Sequence, residues 1–324
     1  RTPRETITAT VVSETDTDGE TVTLTETGVS TGVFLGSVSS GLSLTNGDLL
    51  TVTYVDPTDD FGNEVTLTDN AYYNVTLLSG EFTESQTWTA ASSPYLVTGD
   101  VDLLGDADLT IEPGVEVRFI PLYDDRSTGL DPNRSEIRIV NGSIVAVGTV
   151  TDSIIFTTTD TEPLGNQWYG IVKNNDNSND VPQLQFKYCR FEGFQYAIRL
   201  QEAYALSSPS SESDMHTVYV ENCTFQNGGS SAASSQYASY FRWIIKDNVV
   251  NGGSSLFYVN GDLAAFGVLI EGNVVNDVVG YSVNIGTALP YAVYGDNDID
   301  TLKVIINNNT FTGSIDNPPS MCID

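Results

Sequence analysis

The chain has 324 residues, 40% of them hydrophobic and 10% aromatic, which is enough for two ordinary domains with packed cores. With 43 acidic and 13 basic residues its formal net charge is −30, so we expect no nucleic-acid partner. No run of 18 apolar residues occurs, so we expect no membrane insertion. The missing apolar leader, with Arg1 as first residue, indicates processing or truncation.

The first 78 residues contain five segments in which apolar residues alternate with Thr or other polar residues. These segments are Thr6–Val12, Thr21–Thr25, Val33–Val38, Leu49–Val55 and Glu64–Thr68. Turn sequences such as Asp18-Gly19 and Asn46-Gly47 separate them. This alternation and spacing predict an antiparallel β-sandwich over residues 1–78.

Three phrases in this region, Thr23–Gly28, Thr31–Gly36 and Val52–Pro57, resemble the Ig-like repeats of bacterial extracellular proteins. In those repeats another strand precedes the equivalent of Thr6–Val12, for which this chain has only five residues. The resemblance therefore implies a sandwich that lacks one strand and exposes an edge or groove, which a strand from another chain can fill. Two alternatives are a module trimmed from a longer precursor and a sheet closed by Tyr72–Leu78.

The remaining 246 residues, 79–324, carry a repeated phrase centred on a Cys or Asn. The five marker residues are separated by 34, 25, 25 and 36 residues: Cys189, Cys223, Asn248, Asn273 and Asn309. A period near 25 residues with two longer steps is typical of a solenoid in which surface loops are inserted into some coils. Polar stretches at 207–213 and 294–300 are the candidate insertions.

Each repeat holds short β-branched or aromatic runs bounded by Asn and Gly, which predicts three strands per coil of a parallel β-helix. Equivalent residues would then stack about 4.8 Å apart. We expect the five marker residues to form a structural ladder, in which an Asn amide donates to one neighbour and accepts from the other. Cys189 and Cys223 would be small buried substitutes with free thiols.

Residues 79–324 resemble the right-handed parallel β-helix of the pectate-lyase-like kind, as found in large bacterial surface proteins. The phrases that carry the resemblance are Trp88-Thr89, Leu109–Phe119, Ile139–Gly148 and Trp168–Ile171. The predicted fold class is therefore all-β, an Ig-like sandwich followed by a right-handed β-helix. This scaffold carries lyases, adhesins and structural proteins alike, so the resemblance says little about activity.

Acidic turns are the candidates for metal chemistry, because they gather the oxygen ligands that calcium prefers. The candidate calcium ligands are Asp16, Asp18, Glu20, Asp56, Asp59, Asp60, Asp296, Asp298 and Asp300. The alternative is that these turns are simply solvated in a strongly acidic protein. Asp124-Asp125 with Asp131 is a weaker group, and calcium is the one cofactor that we expect.

An enzyme is the less favoured interpretation. Lyases on this fold use an Arg or Lys as base, and the chain offers Arg118, Arg138, Lys173, Arg190, Arg199, Arg242 and Lys246. No motif groups them with carboxylates, although Asp102, Asp106 and Asp108 lie close together in sequence. The sole histidine, His216, follows a Ser-rich stretch and is expected in a loop.

Three functions remain, in order of preference. The first is a non-enzymatic extracellular or cell-surface subunit that assembles head-to-tail with copies of itself into a filament or array, through a donated strand. The donor would be the arm Arg1–Ala9 or the tail Gly313–Asp324. The second is an adhesin or glycan-binding fragment, with a contact patch at Tyr237, Tyr240, Phe241 and Trp243, unless Trp243 packs inside a coil. The third is a polysaccharide lyase or hydrolase.

Overall fold

The computed structural model describes residues 4–38, 41–58, 61–174, 183–202, 216–238, 241–253, 255–262, 267–278, 280–288, 303–313 and 320–323. Contacts divide the chain into two compact units, Arg1–Val75 and Thr76–Asp324. The boundary that the sequence placed after residue 78 falls inside the first strand of the second unit. Both predicted insertions, at 207–213 and 294–300, lie outside the described residues.

The first unit is a single antiparallel sheet in the part of the chain that is described. Its strands, in the spatial order β3-β2-β1-β4-β5, are β1 (Thr6–Val12), β2 (Glu20–Glu26), β3 (Phe34–Leu35), β4 (Leu49–Asp56) and β5 (Val65–Tyr72). Alternation of Thr with apolar residues gives each strand one polar and one apolar face. A second sheet is not among these strands, so the Ig-like sandwich is not confirmed.

The alternative in which Tyr72–Leu78 closes this sheet is wrong. Tyr72 ends β5, but the strand that begins at Thr76 pairs in parallel with Tyr95–Leu103 of the second unit. The chain therefore leaves the first sheet at this point and enters the solenoid.

The second unit consists of parallel strands in three stacks. Sheet 1 contains β7 (Gln86–Trp88), β9 (Leu109–Ile111), β12 (Ile144–Val147), β15 (Leu184–Lys187), β18 (His216–Glu221), β21 (Phe241–Lys246), β24 (Gly267–Glu271) and β27 (Lys303–Asn307). Sheet 2 contains β10 (Glu116–Phe119), β13 (Ile154–Thr158), β16 (Cys189–Glu192), β19 (Thr224–Gln226), β22 (Val249–Asn251), β25 (Val274–Asn276) and β28 (Thr310–Thr312). Sheet 3 contains β11 (Glu136–Ile139), β14 (Trp168–Asn174), β17 (Phe194–Gln201), β20 (Ser231–Gln236), β23 (Ser255–Asp262), β26 (Tyr281–Ala288) and β29 (Ser320–Ile323).

One long strand starts two of these sheets. The first residues of β8 (Tyr95–Leu103) pair with β10 of sheet 2, and its last residues pair with β11 of sheet 3. Strand β6 (Thr76–Phe82) lies on the other edge of β8. Each later coil takes one strand from each sheet in turn, as in β18, β19 and β20, so the unit is a parallel solenoid consistent with a β-helix.

The core lies inside the coils and is built from columns of like residues. Phe156, Phe191 and Phe225 stack in successive coils with ring centroids 4.8 Å and 5.0 Å apart. Phe119 stacks on Trp168 at 4.1 Å. In-register parallel pairing of β13, β16 and β19 stacks the three phenylalanines, because it places each directly above its equivalent, whereas Phe119 and Trp168 lie on strands that do not pair.

A left-handed residue turns the chain from sheet 1 into sheet 2 in five successive coils. These residues, each directly before a marker residue, are Tyr188, Asn222, Asp247, Gly272 and Asn308, with φ between 52° and 70°. Gly adopts this conformation freely, and Asn and Asp tolerate it better than other residues do. The Asn and Gly of the repeated phrase therefore mark a corner of the coil.

The marker residues lie at the start of sheet 2 or directly before it, one above another. The Asn248 Oδ1 atom accepts from the Cys223 backbone N–H at 2.9 Å, and the Asn248 amide donates to Asn273 Oδ1 at 2.9 Å. Asn273 in turn donates to Asn309 Oδ1 at 2.8 Å and to the Ile245 carbonyl at 3.0 Å. Each amide thus accepts from one coil and donates to the next.

The two cysteines continue this column toward the N-terminus. Both thiols are free and buried, and Cys189 Sγ and Cys223 Sγ donate to the carbonyls of Ala146 and Phe186, each at 3.4 Å. Burial raises the pKa of the Cys189 thiol well above its usual value. Because both side chains are buried, neither thiol is accessible for nucleophilic chemistry.

We predict that Asn273→Ala lowers the free energy of unfolding by about 2 to 4 kcal/mol, because it leaves the buried Asn248 N–H and the Ile245 carbonyl without a side-chain partner. The matched control is Asn276→Ala in the same coil, where the side chain is half-buried. We expect this control to cost less than about 1 kcal/mol. Urea unfolding followed by circular dichroism measures both, and equal losses would contradict the role of the ladder.

Candidate functional site

The sheet of the first unit has one apolar face. The strand register places Ala9 beside Val22 on one side and Tyr54 on the other, and Val11 beside Val52. Directly paired residues point to the same side of a sheet, so these side chains share one face. The opposite face is lined mainly by Thr.

Half of this apolar face is covered. Ala9, Val11 and Val22 are all at least 93% buried. The chain beyond β3 lies against this half, since a Cβ atom added at Gly36 would come within 2.5 Å of Leu24 Cδ2. The covering layer is therefore an irregular segment over β1 and β2.

The other half is partly exposed. Leu50, Val52, Tyr54, Val65 and Leu67 lie on the same face of β4 and β5, and we call them the open half. Val52 is 36% exposed and Leu67 is 56% exposed. The same register places Asp69 beside Val52 and Asp56 beside Val65, so the open half is an apolar surface that also carries two carboxylates.

The open half ends at an eight-residue edge strand, β5. Within the described part of the chain, β5 pairs only with β4, so its outer backbone groups have no strand partner. A long edge strand is a template for pairing with another chain. The opposite edge strand of the sheet, β3, has only two residues and therefore offers far fewer backbone groups for pairing.

The structure separates the two predicted donor segments. Thr6–Ala9 of the N-terminal arm belongs to β1, which is held between β2 and β4. In the tail, β29 pairs with β26 along one edge, and no described strand pairs with its other edge. The tail strand thus keeps one whole edge without a described strand partner, whereas the arm is already paired with β2 along Thr6–Ala9 and with β4 at Ala9.

The acidic turns of the first unit organise the backbone. The Asp16 carboxylate accepts from the backbone N–H groups of Ser43 and Gly19, each at 3.1 Å, and these bonds lower its pKa. Asp56 accepts from the Thr58 N–H at 3.1 Å. Among the described residues, which include Asp18 and Glu20, no group of three or more His, Cys, Asp or Glu could hold a metal ion.

The other five candidate calcium ligands lie outside the described residues: Asp59, Asp60, Asp296, Asp298 and Asp300. Calcium binding therefore stays a prediction.

A cluster of buried carboxylates joins the first coils to the segment 120–135. Its members are Asp100 and Asp102 of β8, Asp124, and Glu136 of β11, and each is at least 93% buried. Asp124 accepts from the Asp100 N–H at 3.1 Å, while Asp100 accepts from the Glu136 N–H at 3.0 Å. Asp102 forms an ion pair with Arg138 at 2.9 Å.

Glu136 is the most perturbed residue of this cluster. Its Oε1 atom accepts from the Leu130 N–H at 3.0 Å, but Oε2 is buried without a partner. A Cβ atom at Gly129 would meet both Glu136 Oε1, at 2.5 Å, and Asp100 Oδ2, at 2.6 Å, so these oxygens lie within about 5 Å of each other. Burial, and then the charge of Asp100, raise the pKa of Glu136 to about 8.

Asp100 and Glu136 resemble a catalytic acid and base only in the distance between them. Both side chains have 0% exposure, so a substrate has no access to them. The cluster instead fastens the segment 120–135 to β8 and β11. The sequence pointed to Asp102 and Asp124 but missed Asp100 and Glu136, whose only signal was a carboxylate within a strand.

The aromatic contact patch predicted for an adhesin is wrong in its main members. Phe241 and Trp243 have 0% exposure and belong to the core, whereas Tyr237 is 42% exposed. Tyr240 lies outside the described residues. His216, expected in a loop, is the buried first residue of β18.

Comparison with known proteins gives one short match. Protein bark beetle of Drosophila melanogaster is 37% identical to this chain over 79 residues, which is 24% of this chain and 2% of that protein. No protein-family description matches the chain, and no solved structure matches it. Within the described residues no helix has the length and hydropathy needed to cross a membrane.

We predict that the chain becomes less stable between about pH 5 and pH 8. The pKa of Glu136 is raised from 4.5 to about 8 in the folded state, so its stabilising contribution is complete below pH 4.5 and is lost as the pH rises through 8. The loss is on the order of 4 kcal/mol. The raised pKa of Asp100 acts in the same direction.

The variant Glu136→Gln should remove most of this pH dependence, because the amide carries no proton to lose. Glu112→Gln, at an exposed position, is the matched control and should keep it. Denaturant unfolding at pH 5, 7 and 9 measures the difference. If the free energy of unfolding changed equally with pH in Glu136→Gln and in the unchanged protein, the buried proton would not be on Glu136.

Proposed function

We propose that this chain is a non-enzymatic extracellular structural subunit that assembles head-to-tail with copies of itself into a filament or surface array. The open half of the first sheet, next to the edge strand β5, carries the proposal. A sheet with one uncovered apolar face is stabilised when a second layer or a further strand is added. The proposal has three further parts. The first unit is an Ig-like module, the coil of the second unit is right-handed, and the chain is related to bacterial surface proteins.

The partner that fits this surface is β29 of a second copy. It is a strand whose outer edge has no described partner, and β5 is an edge strand eight residues long. Pairing of β29 with β5 of the next copy uses different surfaces on the two molecules. Such a contact does not close on itself, so it propagates into a linear assembly.

The charges of the described residues support a structural role more than catalysis. Of the bases that a lyase would use, Arg118, Arg138 and Arg190 are ion-paired with Glu116, Asp102 and Glu192. A fourth, Lys246, pairs with Glu271 at 2.9 Å, and this contact raises its pKa. A base held in its protonated form is poorly suited to removing a proton from a substrate.

We predict that Leu67→Lys prevents assembly. The lysine places a charge in the centre of the open half, and the fold should tolerate it because Leu67 is already 56% exposed. Thr66→Lys, on the opposite face of the same strand, is the matched control and should assemble normally. Negative-stain electron microscopy of the full chain shows fibres or their absence, and circular dichroism verifies the fold of each variant.

Removal of residues 314–324 should abolish fibres as well, since it removes β29. Fibres that persist both in this truncation and in Leu67→Lys would rule out the proposed contact. Single rods from the unchanged protein would rule out self-assembly altogether.

We predict that fibre formation accelerates as the salt concentration rises from 10 to 150 mM, roughly the range over which screening becomes effective. Copies that each carry a net charge of −30 repel one another at low salt. Light scattering records the rate, and calcium at equal ionic strength tests the proposed cofactor separately. A rate that falls with added salt would contradict apolar association between acidic copies.

A further inference from the structure

Sheet 3 carries a small notch on its outer surface. Arg199, Ser234 and Tyr258 are paired in register on β17, β20 and β23, while their neighbours Ile198, Ala233 and Phe257 fill the core. Arg199 and Tyr258 stand two strand spacings apart, or about 9.6 Å, with the small Ser234 between them. The resulting cavity has a volume of about 150 Å³ and is lined by Tyr196, Arg199, Ser234, Ser235, Gln236, Tyr258 and Asn260.

Arg199 is a buried cation without a carboxylate partner among the described ion pairs. It is 93% buried, and its guanidinium carbon lies 3.9 Å from the centre of the Tyr196 ring. One terminal nitrogen donates to Gln236 Oε1, but Nε is buried without an acceptor. Most described cations of this acidic chain have a carboxylate partner, so the arrangement at Arg199 is unusual.

Ser234 adds a second buried polar group to the notch. Its side chain is 98% buried, and its hydroxyl has no hydrogen-bond partner in the part of the chain that the structure describes. A buried polar group without a partner costs about 1 to 3 kcal/mol, and more when it is charged. Both costs are recovered if one acceptor enters the notch and contacts Arg199 and Ser234 together.

We propose that the notch binds a small oxyanion, a carboxylate or sulfate group, with Arg199 Nε and the Ser234 hydroxyl as donors. None of the described residues that line the notch is a carboxylate, so among them the positive charge of Arg199 has no competing negative charge. Guanidinium groups match the planar fork of a carboxylate and the oxygens of sulfate. The volume is that of about five water molecules, which suits one such group.

This site is separate from the proposed assembly contact. None of the residues that line the notch belongs to the open half, to β5 or to β29. The two proposals can therefore fail independently.

Isothermal titration calorimetry of the full chain at low ionic strength tests the proposal with acetate, sulfate, glucuronate and neutral glucose. We expect the three anions to bind and glucose not to bind. Arg199→Met should weaken anion binding at least tenfold, and Ser234→Val should do the same by filling the floor while leaving the charge in place. Arg190→Met, an exposed arginine on sheet 2, is the matched control and should bind as the unchanged protein does.

The probes also separate two sources of the oxyanion. If glucuronate binds at least tenfold more tightly than acetate, the ligand is an acidic sugar. Equal affinity for glucuronate and acetate identifies the ligand as a free anion. Absence of anion binding, equal binding of glucose and glucuronate, or unchanged affinity in both Arg199→Met and Ser234→Val would overturn the proposal.

Discussion

Parallel hydrogen bonding between equivalent residues of successive coils is the constraint on which the second unit depends. It places every side chain directly above its counterpart in the previous coil. Each column of equivalent side chains must therefore consist of residues that can stack on one another. Phenylalanines satisfy this requirement in the core, as in Phe156, Phe191 and Phe225. Asparagines satisfy it at the corner, because one amide can accept from the coil before and donate to the coil after.

The same constraint explains where polar chemistry arises. Opposite charges in one column give the Asp102–Arg138 ion pair on paired strands. A small residue between two large ones gives the notch at Ser234. Burial, and then the nearby charge of Asp100, disfavour the charged form of Glu136 and raise its pKa to about 8.

The two units differ in how completely they bury apolar residues. The second unit encloses its core within the coils, and its buried cluster runs from Leu78 to Ile285. The first unit buries Ala9, Val11 and Val22 but leaves Val52 and Leu67 exposed on the same face. A net charge of −30 makes copies of the chain repel one another at low salt, so the assembly that we propose would depend on screening as well as on the apolar surface.

The sequence by itself determined the features that repeat locally. The spacing of Cys189, Cys223, Asn248, Asn273 and Asn309 indicated coils, and the Asn and Gly that bound the apolar runs indicated turns, because backbone conformation there depends on the residue itself. Only the tertiary structure decided what lies opposite each face. The resemblance implied an exposed edge or groove, but alternating strands have the same pattern in a single sheet and in a sandwich, so the sequence did not show which half of the sheet stays open. Asp100 and Glu136 lie 36 residues apart, and only the stacking of coils brings the Asp100 carboxylate to the Glu136 backbone. Phe241 and Trp243, predicted at a surface, became core residues for the same reason: burial depends on the residues that cover a side chain, and those come from other coils.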